Sequence, residues 1–166
     1  MKAIFFSDIH GITTNLDKIE NVIKKFNPNY IVVLGDLYGS DFSSNEYIYN
    51  FLMKYRDKLI MILGNFDVYS DLFVDNMMLN LDGIKVFISH GHEYIYDRWS
   101  KVSDCNILIY GHKHIPYIRE IGTTTYICVG SISLPRNDLG ATYMIYDEKF
   151  IIYDIEGNVL DEKSIV

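Results

Sequence analysis

Two short β-branched and aromatic runs, Lys2–Phe6 and Tyr30–Leu34, stop at polar or glycine residues, as buried strands do. Between them Leu16, Ile19, Val22, Ile23 and Phe26 recur at helical spacing, Thr13-Thr14-Asn15 can cap the first turn, and Asn27-Pro28 ends it. Strand, helix, strand, with a helix of ordinary length between, predicts parallel neighbours joined by a crossover. A second helix over Ser44–Tyr55 followed by a strand at Leu59–Leu63 repeats the unit, so the first half reads as α/β.

The second half changes character. Met77–Leu81 and Ile84–Ser89 flank Asp82-Gly83, a two-residue hairpin signal. A short helix is expected over Ile95–Val102 and a buried strand at Ile107–Tyr110. Ile115–Ile121, Thr125–Val129, Ala141–Tyr146 and Phe150–Ile155 then read as antiparallel strands, with a turn at Glu148-Lys149. The sum is a layered α/β domain whose sheets finish in an antiparallel tail.

Composition narrows the class. With 166 residues, 49% hydrophobic and 22% charged, and only 3 Pro and 11 Gly, one domain over residues 1–166 is expected. A chain of this size hides about 70% of its unfolded surface, so it needs no disulfide framework. Cys105 and Cys128 stand far apart and lack metal-thiolate spacing, which predicts buried, reduced thiols. The apolar start of the chain is interrupted at Ser7-Asp8-Ile9-His10, too early for a signal peptide, and no apolar run approaches the roughly 18 residues of a membrane span. A soluble cytoplasmic protein with no membrane partner is expected.

The formal charge of −7, with 15 Lys plus Arg against 22 Asp plus Glu, offers no basic track for a nucleic-acid polymer. The Lys24-Lys25 pair is too short to be one. Chemistry concentrates instead at the strand ends: Asp8-Ile9-His10, Gly35-Asp36, Gly64-Asn65, Ser89-His90-Gly91-His92 and Gly111-His112-Lys113-His114. All 5 His fall in three of these segments. Ligands gather beyond the carboxyl ends of strands in open α/β sheets, so scattered segments can converge on one site. Asp and His donors suit Mn, Fe, Zn, Co or Ni, and the lack of clustered cysteine argues against a structural zinc-thiolate site. In a regular strand an i, i+2 pair such as Asp8/His10 or His112/His114 would point to opposite faces; both side chains reach one centre only if the chain turns out of the sheet.

The ordered set Asp-x-His, Gly-Asp, Gly-Asn, His, Gly-His-x-His resembles the signature of the calcineurin-like metallophosphoesterase superfamily. In particular the chain resembles its small single-domain YfcE-like phosphodiesterase branch, which is similar in fold to a retromer subunit. Gly130-Ser131-Ile132-Ser133-Leu134-Pro135-Arg136 extends the resemblance to about residue 137. It implies an αββα fold, a two-sheet β-sandwich flanked by helices, with mixed sheets and an antiparallel C-terminal part.

The resemblance also implies that Asp8, His10 and His114 hold one divalent ion, that Asn65, His90 and His112 hold a second, and that Asp36 bridges both. Manganese is the first expectation, with Fe, Zn, Ni, Co or Mg admissible. Two such ions, about 3.5–4 Å apart, would bind phosphate oxygens and present a shared water as hydroxide for in-line attack on phosphorus. They would also move the formal charge to about −3, with the change confined to one cleft. His92, not expected as a ligand, is left with two roles, donating to a phosphoryl oxygen or supporting the ligands from behind.

One position departs from the pattern. Many members carry His after the Asn, where it helps protonate the leaving group with an Asp as partner; here the residues are Phe66 and Asp67. Phe66 cannot carry a proton, so His92, Asp67 or a metal-bound water would have to supply it, or the substrate must have a good leaving group. The expected activity is therefore a metal-dependent phosphodiesterase acting on small phosphate esters. A catalytically weak interaction scaffold of the same fold is the second reading, and self-association is left open. Tyr38, Phe42, Tyr47, Tyr94, Tyr96 and Trp99 could line a base-stacking pocket or an interface, or serve as ordinary packing.

Overall fold

The computed structural model describes residues 1–93 and 105–165. In chain order the elements are β1 (Lys2–Phe6), α1 (Leu16–Phe26), β2 (Tyr30–Val33), α2 (Phe42–Met53), a short 3₁₀ turn (Arg56–Lys58) and β3 (Leu59–Met61). There follow β4 (Asn76–Leu81), β5 (Ile84–Ser89), β6 (Ile107–Tyr110), β7 (Pro116–Ile121), β8 (Thr124–Val129), β9 (Thr142–Asp147), β10 (Lys149–Asp154) and β11 (Val159–Ser164). They form two mixed sheets, ordered β11-β10-β9-β1-β2-β3 and β4-β5-β6-β8-β7. The helix expected at Ile95–Val102, like Tyr94, Tyr96 and Trp99, lies outside the described residues.

Strand alternation builds the layers. Ala3, Phe5, Val32 and Leu34, with Phe150 of the same sheet, face the second sheet and pack there with Val86, Ile88, Ile109, Ile127 and Val129, all buried. Their neighbours Ile4, Phe6, Ile31 and Val33 face outward onto Leu16, Ile19 and Ile23 of α1 and Ile48, Phe51 and Leu52 of α2. A strand buried on both faces has no reason to alternate with polar residues, which is why β1 and β2 read as continuous apolar runs. β1 pairs in parallel with β2, and β2 with β3, across the helical crossovers. At the hairpin, Asp82 and Gly83 both take positive φ (55° and 91°), the geometry its two-residue loop requires, and Leu81 pairs with Ile84.

Four local expectations are revised. Asn15 occupies the N-cap position of α1 without a side-chain capping bond; its Nδ2 donates instead to the Ile132 carbonyl at 2.8 Å. Helix α2 starts at Phe42, two residues early, because Asp41 accepts the Ser44 amide at 2.7 Å. The antiparallel tail is divided between the sheets: β7 and β8 complete the second, where β8 runs parallel to β6, and β9 and β10 join the first beside β1. Beyond them lies β11, an edge strand missed in the sequence because Val-Leu-Asp-Glu-Lys-Ser is too polar to read as one. Its Asp161 accepts the Ile118 amide of β7 at 3.0 Å, and Lys163 pairs with Glu120, so the two sheets are joined along one margin. Both cysteines are free thiols; Cys128 is buried and burial pushes its pKa up to about 12, while Cys105 is half-buried.

Candidate metal centre

All five motif segments leave their strands at the same edge of the sandwich, and backbone bonds zip them together. After β1 and β2 the chains run side by side through Asp8 N to Gly35 O (3.0 Å), His10 N to Asp36 O (2.9 Å) and Gly11 N to Leu37 O (3.0 Å). Across the sandwich, the His112 amide donates to Asp8 Oδ2 at 2.9 Å. The 130–136 segment supports the same spot: Ser131 Oγ donates to the Asp8 carbonyl (2.8 Å), Ile132 N to Ser7 O (3.0 Å) and Arg136 N to His114 O (3.0 Å).

The turn out of the sheet is achieved with backbone strain. Of the eight described non-glycine residues with positive φ, five are Asp8, His10, Asp36, His112 and His114. Asp and His tolerate this region better than most residues but still adopt it at a cost. With left-handed residues at both members of each of these i, i+2 pairs, Asp8 and His10 turn to one centre, while His112 and His114 each reach a different one of two neighbouring donor groups.

Two groups of donors result. Asp8, His10 and His114 bring ligand atoms within 4.8 Å of one another, and so do Asp36, His90 and His112. Asp36 Oδ2 links the groups, 3.6 Å from His10 Nε2 and 3.3 Å from His90 Nε2. Asn65 Oδ1 stands 3.0 Å from His90 Nε2. Every metal-ligand position expected from the sequence is thus at this edge. His92 adjoins the second group, its ring 5.4 Å from that of His90 and 6.2 Å from that of His112.

The donor set fits divalent cations on its own chemistry. The Nδ1 atoms of His90 and His114 each lie 2.6 Å from a backbone carbonyl, of Leu34 and Leu134 respectively. A carbonyl can only accept, so the proton is on Nδ1 and each Nε2 turns a lone pair inward. His114 Nε2 then faces His10 Nε2 at 3.3 Å and Asp8 Oδ1 at 3.1 Å. Asp8 Oδ1 is fully buried and has no hydrogen-bond partner. Donors bound at about 2.0–2.2 Å to one ion sit about 3.0–3.4 Å apart, close to these separations.

Electrostatics follows the same arrangement. Burial acts to raise the Asp8 pKa, but His10 and His114 beside it and the charge of His90 hold it far below the usual carboxylate range. Asp36 is likewise lowered, against burial, by His90 and the Phe66 amide, which donates to Oδ1 at 2.9 Å. For His90 and His114 burial favours the neutral form, yet the adjoining Asp36 and Asp8 carboxylates leave both pKa values raised from the ordinary histidine value. His92 and His112 are lowered, by burial first and then by the charge of His90.

Asp67, expected from the sequence as a proton partner, has a structural task in the fold. Its carboxylate accepts the amides of Asp36 (2.8 Å), Leu37 (2.8 Å), Tyr38 (3.4 Å) and Gly64 (3.0 Å), which ties the Gly64-Asn65 turn to the loop carrying Asp36. Burial raises its pKa despite those amides. Sequence reasoning also missed the Leu34 and Leu134 carbonyls, which no side-chain pattern advertises, and Ser131, whose segment was noted without a role. Two close approaches require glycine: a Cβ at Gly64 would lie 2.2 Å from Asp36 Oδ1, and one at Gly111 would lie 1.9 Å from Ser7 Oγ and 2.7 Å from Asp8 Oδ2.

A model of the calcineurin-like phosphoesterase superfamily domain matches residues 1–149. The chain belongs to that superfamily. It is 26% identical over 165 residues to phosphodiesterase YfcE of Escherichia coli K12, covering 89% of this chain and 88% of the relative. The solved structure of E. coli YfcE, described as a phosphoesterase, superposes with a TM-score of 0.88 at 22% identity over 100% of both chains. Vacuolar Protein Sorting 29 of Cryptosporidium parvum superposes with a TM-score of 0.71 at 18% identity, covering 99% of this chain and 98% of that one, a likeness of fold. Family and donor set together place the chain among the metal-dependent phosphoesterases.

Replacing Gly111 by Ala is expected to push Asp8 aside and weaken metal binding on the order of 10–100-fold, read by calorimetric titration of Mn²⁺; an unchanged affinity refutes the packing argument. Protons compete with a cation for Nε2 of His90 and His114, whose pKa values are raised. Affinity for Mn²⁺ is therefore expected to keep climbing as pH rises above the ordinary histidine pKa of about 6.5, with protons released on binding; a titration curve flat from pH 6 to 8 contradicts this.

Proposed function

We propose that the chain is a dinuclear phosphodiesterase of small phosphate esters, folded as one domain over residues 1–166 and working with two divalent ions, manganese first among them. The observation that carries this reading is the position of Asp36 Oδ2 between the two donor groups, 3.6 Å from His10 Nε2 and 3.3 Å from His90 Nε2. Asp8, His10 and His114 hold one ion, Asn65, His90 and His112 hold the other, and Asp36 serves both. Bound there, the ions supply Lewis acidity toward phosphate oxygens and activate water at neutral pH.

The chain's own residues do the rest. The Leu34 and Leu134 carbonyls keep His90 and His114 in the tautomer that binds through Nε2. Asn65 adds an oxygen without a third full charge, which leaves the cleft attractive to a phosphate. His92, with its pKa lowered, is neutral at pH 7 and donates a ring N–H to a phosphoryl oxygen as charge builds there. Phe66 brings no proton to the leaving group, and the Asp67 carboxylate is engaged by backbone amides. General-acid help, worth about 10²–10⁴-fold, is accordingly weak, and activated diesters are favoured.

A small substrate is supported by the net charge of −7. Among the described residues no helix is long and apolar enough to cross a membrane, and both cysteines are free, which supports a cytoplasmic setting. The scaffold reading is not favoured, because the donor set is complete in both groups.

Asp36→Asn is expected to cut Mn²⁺-dependent hydrolysis of bis-p-nitrophenyl phosphate by at least about 10²-fold and to lower bound metal below two per chain, read by elemental analysis. Full activity in that variant sinks the dinuclear reading. Across aryl diesters of rising leaving-group pKa the chemical step is expected to slow steeply; a flat series, with chemistry shown to be rate-limiting, points to a proton donor after all.

A further inference from the structure

Phe66 stands where the metal centre meets a second feature. Its amide donates to Asp36 Oδ1, and its ring packs edge-on against His10, with centroids 5.5 Å apart at 73°. The ring is nevertheless 69% exposed. It lines a cavity of about 490 Å³ together with Tyr38, Phe42, Tyr49, Val68 and Glu46. That volume lies within the range of small-molecule sites.

Tyr38 packs against the core, but folding does not account for the outer part of the aromatic wall. Phe42 is 81% exposed and Val68 83% exposed, so neither contributes to the core. Phe42 opens α2, but the capping there is done by Asp41 and the Ser44 amide. Large apolar side chains held in water around a concavity mark a binding surface.

The cavity is also fixed to the donor loops. Asn45, on its lining, is locked by two bonds to Gly39, accepting its amide at 2.9 Å and donating to its carbonyl at 2.8 Å. Gly39 in turn packs against the segment that carries His10, so closely that a Cβ at Gly39 would come within 2.7 Å of the His10 carbonyl oxygen. Wall and metal centre are therefore held in register before any ligand arrives.

Its chemistry selects the occupant. Among the described residues no lysine, arginine or histidine lines the cavity, so that lining offers nothing to a second phosphate. Four aromatic rings favour a flat π-system over an alkyl chain, and the Glu46 carboxylate can accept from ring N–H groups. Resting on the phosphodiesterase reading above, we propose that this cavity is the subsite for a planar aromatic group on one ester arm of the substrate, whose phosphorus lies at the donor clusters. Aryl esters and nucleosides share that chemistry.

The test holds the leaving group constant. Mn²⁺-loaded protein is assayed on p-nitrophenyl diesters whose other arm is methyl, phenyl or 5′-thymidyl, and kcat/KM is compared in wild type and Phe42→Ala. An aromatic arm is expected to exceed methyl by about tenfold or more, and Phe42→Ala is expected to lower that ratio by about tenfold. Advantage confined to phenyl assigns the site to aryl esters; advantage in the thymidyl ester assigns it to nucleosides. Ratios near one in wild type, or ratios untouched by Phe42→Ala, overturn the proposal.

A binding readout separates this from failure of the phosphodiesterase reading. Calorimetry of phenyl phosphate, thymidine 5′-monophosphate and methyl phosphate is expected to show the same ring preference and its loss in Phe42→Ala. Ring preference in binding with no turnover of any diester supports the subsite and refutes only the hydrolytic reading. A wild-type dimer that becomes a monomer in Phe42→Ala, seen by light scattering, overturns the proposal by giving the cavity to a second copy of the chain.

Discussion

Lone pairs that face one another around four buried side chains, Asp8, Asp36, His90 and His114, are the constraint on which the rest of this structure depends. Asp8 Oδ1, His10 Nε2 and His114 Nε2 crowd together on one side, and Asp36 Oδ2, His90 Nε2 and Asn65 Oδ1 on the other. Such atoms repel unless a proton or cation sits among them, and burial denies water to Asp8, Asp36, His90 and His114. Proton binding is the protein's own remedy, expressed in the raised pKa values of His90 and His114. A divalent ion is the better one, since it satisfies several donors at once. The left-handed backbone at five ligand positions, the zipped loops and the Asp67 clamp all hold together groups that would otherwise relax away from each other.

Much of this was legible in the sequence because metal chemistry restricts residue type. Asp, Asn and His at the ends of apolar runs, each beside glycine or a turn, can be found without coordinates. What could not be found is whatever the main chain does. The Leu34 and Leu134 carbonyls orient histidines as firmly as a carboxylate would, yet any residue at 34 or 134 carries a carbonyl. Asp67 was visible as a carboxylate near a catalytic motif, which suggests a proton relay, but only the four amides around it reveal that it is also a clamp.

The fold was legible to the same degree and for a similar reason. Buried strands such as β1, β2, β6 and β8 announce themselves by unbroken apolar runs, and the Asp82-Gly83 turn by its need for positive φ. Edge strand β11 carries charges on a half-exposed ribbon and looks like a loop. Asn15 matched a capping rule but met a stronger claim from the Ile132 carbonyl, a tertiary contact that no local window contains. Pairing order was beyond reach too, since the sequence does not say that two strands of the tail would cross to the second sheet while their successors returned to β1.

The carbonyl grip on His90 and His114 bears on how the chain can vary. An orienting carboxylate is lost by one point mutation, whereas an acceptor in the peptide backbone is indifferent to the side chain above it and fails only if the loop path changes. Sequence drift at positions 34 and 134 is thus uncoupled from the chemistry, provided the apolar bulk of Leu34 in the core is kept. The loop path itself rests on hydrogen bonds between main chains, which are equally blind to identity. A centre built this way confines its demands to a handful of donor and glycine positions and frees most of the remaining chain to diverge, which is consistent with a TM-score of 0.88 at 22% identity.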